Sequence, residues 1–398
     1  MPGVGQSRFQ LDDNPLGSGA FGVVYRAYDA ELDRVVAIKI PHDKEKEEAL
    51  RQEARLMARV AALTEPHVVA LYDIHEIAGK RSLIMEFVDG RALRARLGRI
   101  GFQKPLATGQ ALDLAMQVCR GLMALHGAFG SEGIFHRDIK PENIMVRNAD
   151  GLVKIADFGI ATVLECSGYA STTAGTLPYM APELLEGRAD YRADIYALGV
   201  TLYEMVTGCL PFDPVQDGRA KAPMVYAREI CAGRARPPAE VAEVDAELSA
   251  LVMRAMHVDL KRRLQTASDF HEALGAMHGR AEAAEAVAAA WKLPTVEEQE
   301  RALKAAVEKH ASVDAFRNLA AFYSRRSLPR EALQVLRDGV ARCAAPCELL
   351  VELAMVYRQC GRIHLAIEAL EEAQRGELSP EMRTRVQHLL AACQKAAH

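Results

Sequence analysis

The sequence predicts an α+β protein of two lobes followed by an all-helical region. Three observations carry this. Residues 8–40 alternate apolar and polar positions with turn residues between them, the period of β-strands. From Gln110 onward the period turns helical, over residues 111–126, 193–207, 248–257 and 267–277. A strand-rich first part ahead of a helix-rich second part marks an α+β arrangement. Finally, Leu319, Ala320, Tyr323, Ala332 and Leu336 recur 34 residues later as Leu353, Ala354, Tyr357, Ala366 and Leu370. A fixed period of this length marks helical hairpins that stack side by side.

In chain order, residues 21–28 and 34–40 read as two strands of a small antiparallel sheet. Residues 43–60, rich in Glu, Lys, Arg, Ala and Leu, have a helical period, and residues 83–88 form another strand ending at Asp89-Gly90. Residues 195–210 are the most apolar long stretch. They carry Glu204 and are too short to cross a bilayer, which predicts a buried helix and no membrane span. Residues 279–293, rich in Ala and Glu, read as a helix or stiff linker. Small residues at 320/354 and 332/366 would let the two helices of each hairpin approach closely. Residues 295–310 fit the second helix of an earlier, degraded repeat, and 379–397 a capping helix.

Bulk properties exclude several classes. The chain has 398 residues, enough for two domains; 50% are apolar and 26% charged, as in ordinary soluble globular proteins. A net charge of −4 supplies no basic field for nucleic acid. Residues 1–7 lack the basic-then-apolar pattern of a signal peptide. The eight cysteines form no disulfide or zinc framework, which predicts reduced thiols and a cytoplasmic location.

The chemistry concentrates in two places. His136, Asp138, Lys140 and Asn143 lie within eight residues, and Asp157-Phe158-Gly159 follows fourteen residues beyond Asn143. Asp138 can accept a hydroxyl proton, Lys140 can meet phosphate charge, and Asn143 with Asp157 can hold Mg²⁺ through hard oxygen atoms. Near the N-terminus, Gly17, Gly19 and Gly22 have the spacing of a hairpin that covers phosphates, since glycine lets backbone N–H groups come close without a Cβ. The motif sits between two strands, with Val23-Val24 directly after it. Lys39 follows on the next strand. Glu53 lies on the apolar face of the 43–60 helix, three residues after Leu50 and four before Met57. A carboxylate there needs a partner, and Lys39 is the obvious cation.

Together these motifs resemble the protein-kinase family, specifically bacterial, eukaryotic-like (Hanks-type) Ser/Thr kinases, over residues 9–275. The resemblance implies an N-lobe at 9–86, a hinge at 86–90 and a C-lobe at 91–275, preceded by a tail at 1–8. It implies ATP and Mg²⁺ as cofactors and protein substrates. Lys39 would hold the α- and β-phosphates, paired with Glu53; Asp138 would act as the base and Lys140 would neutralise the γ-phosphate. The backbone of Glu86 and Val88 would bond adenine, Met85 would line the back of the pocket, and Val24, Ala37 and Met145 would sandwich the ring. His136 and Phe158 would pack in the core. Thr176, in the segment 175–183, would belong to a loop that docks protein substrates, with Glu183 paired to Arg263. Asp194 would brace the catalytic loop. Arg137 beside Asp138 implies activation by phosphorylation of a loop residue, with Thr172 and Thr173 as candidates. A dimer would serve autophosphorylation in trans. Residues 276–294 would be a helical linker, and 295–398 resemble tetratricopeptide repeats that would dock a protein partner. The alternative is a pseudokinase scaffold whose repeats bind proteins without catalysis; every polar catalytic position is filled, which favours the enzyme. A small-molecule kinase is disfavoured by the 175–183 segment.

Overall fold

The computed structural model describes residues 8–19, 22–43, 46–47, 50–51, 54–55, 57–58, 65–98, 104–127, 135–157, 175–188, 190–216, 219–343, 345–376, 378 and 380–397. The chain divides into two compact units, Met1–Gly275 and Ala276–His398.

The first unit begins with a five-stranded antiparallel sheet in the order β1-β2-β3-β5-β4. Its strands are β1 (Phe9–Ser18), β2 (Gly22–Asp29), β3 (Arg34–Pro41), β4 (Leu71–Ile77) and β5 (Lys80–Glu86). Strand alternation sorts the two faces. Phe9, Ala27, Val36, Ile38 and Ile84 form one buried cluster. The ladder sets Gly17 opposite Val24, Val24 opposite Lys39, and Ala37 opposite Met85. Directly opposed residues share a face, so all five line the other side. The described positions from 47 to 58 are helical, and Leu50, Ala54 and Met57 bury one stripe of that helix. The sequence missed β4 because it is an edge strand with little buried surface, and its alternation is correspondingly weak. It turns into β5 through Ala78 and Gly79, both with positive φ, the geometry of a tight two-residue hairpin.

A small sheet, β6 (Gly90–Ala92), β7 (Ile144–Arg147) and β8 (Val153–Ile155), underlies the site. Around it stand the helices Leu93–Leu97, Thr108–Gly127, Pro182–Leu185, Arg192–Thr207, Pro223–Ala232 and Ala246–Ala255. The Arg192–Thr207 helix is buried from Ala193 to Val206. Glu204 within it is fully buried and neutralised by Arg94, whose Nη1 lies 2.6 Å from Oε1. Arg94 Nε also reaches Glu142 at 2.8 Å, and Tyr179 Oη donates to Glu204 at 2.6 Å. Removing either member of that pair would leave an uncompensated buried charge. Among the described residues, no helix is long and apolar enough to cross a membrane.

The separate helical segments expected at 267–277 and 279–293 form one helix, Ala267–Trp291. Beyond it lie Val296–His310, Val313–Arg325, Pro329–Arg342, Cys347–Gln359, Ile363–Gln374 and Pro380–Ala397. Thr295 and Glu298 close the first of these with a reciprocal capping box. The period is visible in the elements themselves: Val313 and Cys347, Arg325 and Gln359, and Pro329 and Ile363 are each 34 positions apart. All five recurring pairs of residues are buried, Ala332 and Ala366 completely. Consecutive helices pack on one another, and Val313–Arg325 also packs on Cys347–Gln359, as in stacked hairpins. A Cβ at Gly339 would come within 2.8 Å of Phe316 and 2.9 Å of Leu349, so close approach depends on glycine there. One continuous apolar core runs through this unit from Val287 to Cys393.

Candidate active site

The site is assembled where the β7–β8 hairpin presents its open end. Ile144 pairs with Ile155, and Ala156 N donates to Asn143 O at 2.9 Å. That register brings Asn143 and Asp157 to the same edge. Asn143 Nδ2 donates to Asp138 O at 2.9 Å and to Asp138 Oδ2 at 2.8 Å, so its amide oxygen is the atom it can offer a cation. Lys140 Nζ holds both oxygens of Asp138, at 2.8 and 2.7 Å, and reaches Thr176 Oγ1 at 2.7 Å. Asp138, Lys140, Asn143 and Thr176 therefore form one directly bonded cluster, although Thr176 is 38 positions beyond Asp138 in the chain.

Lys39, 7% exposed on β3, reaches Asp157 Oδ1 at 2.9 Å. The charge of Lys39 holds the Asp157 carboxyl below its ordinary range, with the Lys39 hydrogen bond and the charge of Lys140 adding to it against desolvation. Glu53, the expected partner of Lys39, lies outside the described residues, as do Phe158, Thr172 and Thr173.

His136 does more than pack. It is fully buried, and burial holds its pKa below the ordinary histidine value. Its Nε2 lies 3.0 Å from Ala156 O, and Asp138 N lies 3.3 Å from its Nδ1. A neutral ring with the proton on Nε2 satisfies both contacts, so His136 ties the backbone of Asp138 to the residue before Asp157. The backbone at Arg137 and Asp157 is left-handed, with φ of 65° and 56°, a conformation that costs about 1–2 kcal/mol for an L residue and requires support.

Asp194 gives that support. It is completely buried, and its carboxylate accepts from His136 N at 2.8 Å and Arg137 N at 2.7 Å. His126 Nε2 adds a third contact at 2.8 Å. Burial opposes the charge on Asp194, but the hydrogen bonds from His126 and the Arg137 amide work against it, and the pKa is lowered. Sequence reasoning found Asp194 and missed His126, which lies ten residues before His136.

On the upper wall, Val24, Ala37 and Met85 share the face that carries Lys39. Met145, on β7, is half-buried and Val88 is buried. Glu86 N–H donates to Ala70 O at 2.9 Å, and its carboxylate is anchored by Lys154 at 2.8 Å. The three glycines divide. A Cβ at Gly17 or Gly19 would meet no described residue within 4 Å, whereas one at Gly22 would strike the Ile40 carbonyl oxygen and lie 2.9 Å from its carbon. Gly22 is therefore required by the β2–β3 approach, whatever it does toward a phosphate.

The Asn143 and Asp157 oxygens suit Mg²⁺. The described residues contain no cluster of three His, Cys, Asp or Glu side chains that could hold a metal unaided. Two protein donors completed by phosphate oxygens are the arrangement Mg²⁺ adopts with nucleotides.

The segment after Gly175 is anchored by a buried ion pair. Arg263 Nη1 and Nη2 meet the two Glu183 oxygens at 2.5 and 2.9 Å, and the same guanidinium donates to His257 O and Arg192 O. Leu264, the next residue, is buried. Arg263→Lys is expected to lower stability by about 1–3 kcal/mol, because one ammonium cannot serve two carboxylate oxygens and two carbonyls. Urea denaturation followed by circular dichroism measures this.

Known proteins are similar to part of this chain. A probable serine/threonine-protein kinase of Clostridium perfringens is 35% identical over 260 residues, 64% of this chain and 36% of the relative. Serine/threonine-protein kinase pkn2 of Myxococcus xanthus is 35% identical over 277 residues, 66% of this chain and 32% of the relative. Serine/threonine-protein kinase PknE of Mycobacterium bovis is 40% identical over 226 residues, 53% and 38% respectively. The chain thus spans about a third of the length of these relatives. Residues 11–274 match the family model described as the protein kinase domain, and with the fold and bonded cluster above, this chain belongs to that family.

Proposed function

We propose that this protein is an ATP-dependent serine/threonine protein kinase that uses Mg²⁺ and transfers the γ-phosphoryl group to hydroxyls of protein substrates. The single observation that carries this reading is the Asp138–Lys140–Thr176 contact. It joins the group that would orient a substrate hydroxyl to the segment that would dock the polypeptide bearing it. Phosphoryl transfer asks the protein mainly for placement and charge neutralisation. Bound Mg²⁺ would neutralise phosphate charge from Asn143 Oδ1 and the Asp157 carboxylate. Lys39 supplies a fixed cation on the sheet wall, and Lys140 a second one beside Asp138. Asp138, gripped by Lys140 and Asn143, presents its carboxylate in one orientation, which favours in-line attack. Labelled ATP, Mg²⁺ and a generic protein substrate test this. Incorporation on Ser and Thr supports the reading; its absence under all metal conditions favours the scaffold alternative.

Activation by phosphorylation at Thr172 or Thr173, with Arg137 receiving the phosphate, and a dimer that phosphorylates itself in trans are part of the same reading. Mass spectrometry of the purified, active protein tests the modification. The 34-residue period, with all its matched positions buried, supports tetratricopeptide-like stacking and partner docking. The seven described cysteines are free, which fits a reducing, cytoplasmic setting.

The glycines supply a paired test. Gly19→Ala is expected to raise KM for ATP about tenfold, equivalent to ~1.4 kcal/mol, with Tm unchanged, because the new methyl meets no described residue and faces the proposed phosphate space. Gly22→Ala is expected to cost about 1–3 kcal/mol of stability, because backbone must shift. Thermal melts and ATP titrations of both variants separate the two.

A further inference from the structure

A cavity of about 740 Å³ lies in the C-lobe, away from the bonded cluster. Tyr203, in its lining, is nine residues along the Arg192–Thr207 helix from Asp194, about 14 Å at 1.5 Å per residue. Its walls include Phe212, Val215 and Val225; Phe212 is buried, whereas Val215 is 44% and Val225 43% exposed. Exposed aliphatic groups lining a concavity mark a surface that a partner can cover. Arg228, Arg234 and Arg236 also line it, all exposed and none ion-paired with a described residue.

The local charge is positive. The lining also contains Glu229 and Asp213, but Lys221 holds Glu229 at 3.0 and 2.8 Å. Three lining arginines against two carboxylates leave a charge of +1, which Lys221 beside the lining raises to +2, in a chain of net charge −4. Such a patch concentrates anionic ligands. The site is also preformed. Tyr226 Oη donates to Phe212 O at 2.9 Å, and Lys221 N donates to Pro214 O at 2.9 Å, pinning the wall loop to the Pro223–Ala232 helix.

We propose that this cavity docks an acidic segment of a protein substrate. One aliphatic or aromatic residue would seat against Phe212, Val215 and Val225, and flanking carboxylates would pair with Arg228, Arg234 and Arg236. A small anion would leave the apolar wall uncovered, and a purely apolar ligand would desolvate guanidinium groups without partners. An acidic peptide with one apolar anchor satisfies both halves, and arginine forks suit carboxylates. The inference rests on the protein-kinase reading for its substrate but not for its binding test.

The probe is a fluorescein-labelled heptapeptide with a central phenylalanine flanked on each side by three glutamates, titrated with the full chain by fluorescence polarisation. Arg228→Glu/Arg234→Glu/Arg236→Glu is expected to weaken binding at least tenfold, and the milder triple change to Gln several-fold. Replacing the peptide's phenylalanine by alanine is expected to weaken binding about tenfold. A serine-containing test peptide joined to this segment by a flexible linker should show a KM about tenfold below that of the unjoined peptide, with kcat unchanged, and the triple Glu variant should abolish the advantage. Equal binding of the heptapeptide to the wild type and to folded triple variants overturns the proposal. So does equal binding of a lysine-for-glutamate peptide, or of the alanine peptide. Polarisation requires no phosphoryl transfer, so intact docking beside absent transfer would strike the kinase reading alone.

Discussion

Asp138→Asn is expected to lower kcat for phosphoryl transfer by about 10²–10⁴-fold while leaving stability and Mg²⁺–ATP affinity nearly unchanged. The substitution preserves shape and removes charge. Both Asp138 oxygens accept hydrogen bonds, from Lys140 Nζ and from Asn143 Nδ2. An amide at this position must turn one N–H toward a group that can only donate, so the side chain loses its fixed orientation as well as its basicity. Steady-state kinetics on a protein substrate, with calorimetry of nucleotide binding, checks both halves. Retention of more than about a tenth of kcat would remove Asp138 from the chemistry.

Asp157→Ala separates a different role. It deletes one of the two proposed cation ligands and a partner of Lys39, so the expected signature is loss of the tightening that Mg²⁺ gives to nucleotide binding. Because the native Asp157 pKa is lowered, the stability contributed by its charged form is fully present above the unfolded carboxylate value, near 4. That contribution is lost only as pH falls through the lower native value. An acid limb of activity near neutral pH would therefore have another origin.

The parts of the site legible in the sequence were those whose chemistry is local. Asp138, Lys140 and Asn143 share one turn of chain, whereas Glu183 could be paired with Arg263 only through the family resemblance, since Arg263 stands in a charged run. The strands with a buried face were legible for the same reason: alternation records burial. What was not legible depends on long-range closure. His126 looked like any polar residue at a helix end, and only the fold sets it against Asp194. Arg94 sits on a five-residue helix with no periodic signal, yet it neutralises Glu204, 110 positions away. The packing role of Gly22 was not legible, because spacing cannot reveal that the Ile40 carbonyl would fill its Cβ position. His136 was placed in the core correctly, but its two bonds to Asp138 and Ala156 follow from the left-handed turn at Arg137, which no composition signal records.

That turn makes Asp194 the second site of large expected effect. Asp194→Ala is expected to lower stability by about 3–5 kcal/mol and, in the protein that remains folded, kcat by about 10²-fold. The carboxylate accepts from His136 N, Arg137 N and His126 Nε2, all at 2.8 Å or less. Deleting it strands two main-chain N–H groups, each costing about 1–3 kcal/mol when buried without an acceptor. That is a large share of the roughly 5–15 kcal/mol available to a domain. The kinetic loss has a separate cause. Arg137 is held left-handed against a steric preference, and the bond at its own N–H opposes that preference. Once it is gone, residues 136–138 can relax, and a displacement of Asp138 by about 1 Å is enough for the stated loss. Asp194→Asn distinguishes the two effects. Its oxygen can still accept from Arg137 N, and its amide can donate to the other tautomer of His126, so it should recover about half of the lost stability. The His136 N–H would then face a donor, so kcat should stay low. Urea denaturation gives the first quantity, and single-turnover kinetics well below Tm gives the second. A folded Asp194→Ala protein with wild-type kcat would show that the catalytic turn holds its geometry without the carboxylate.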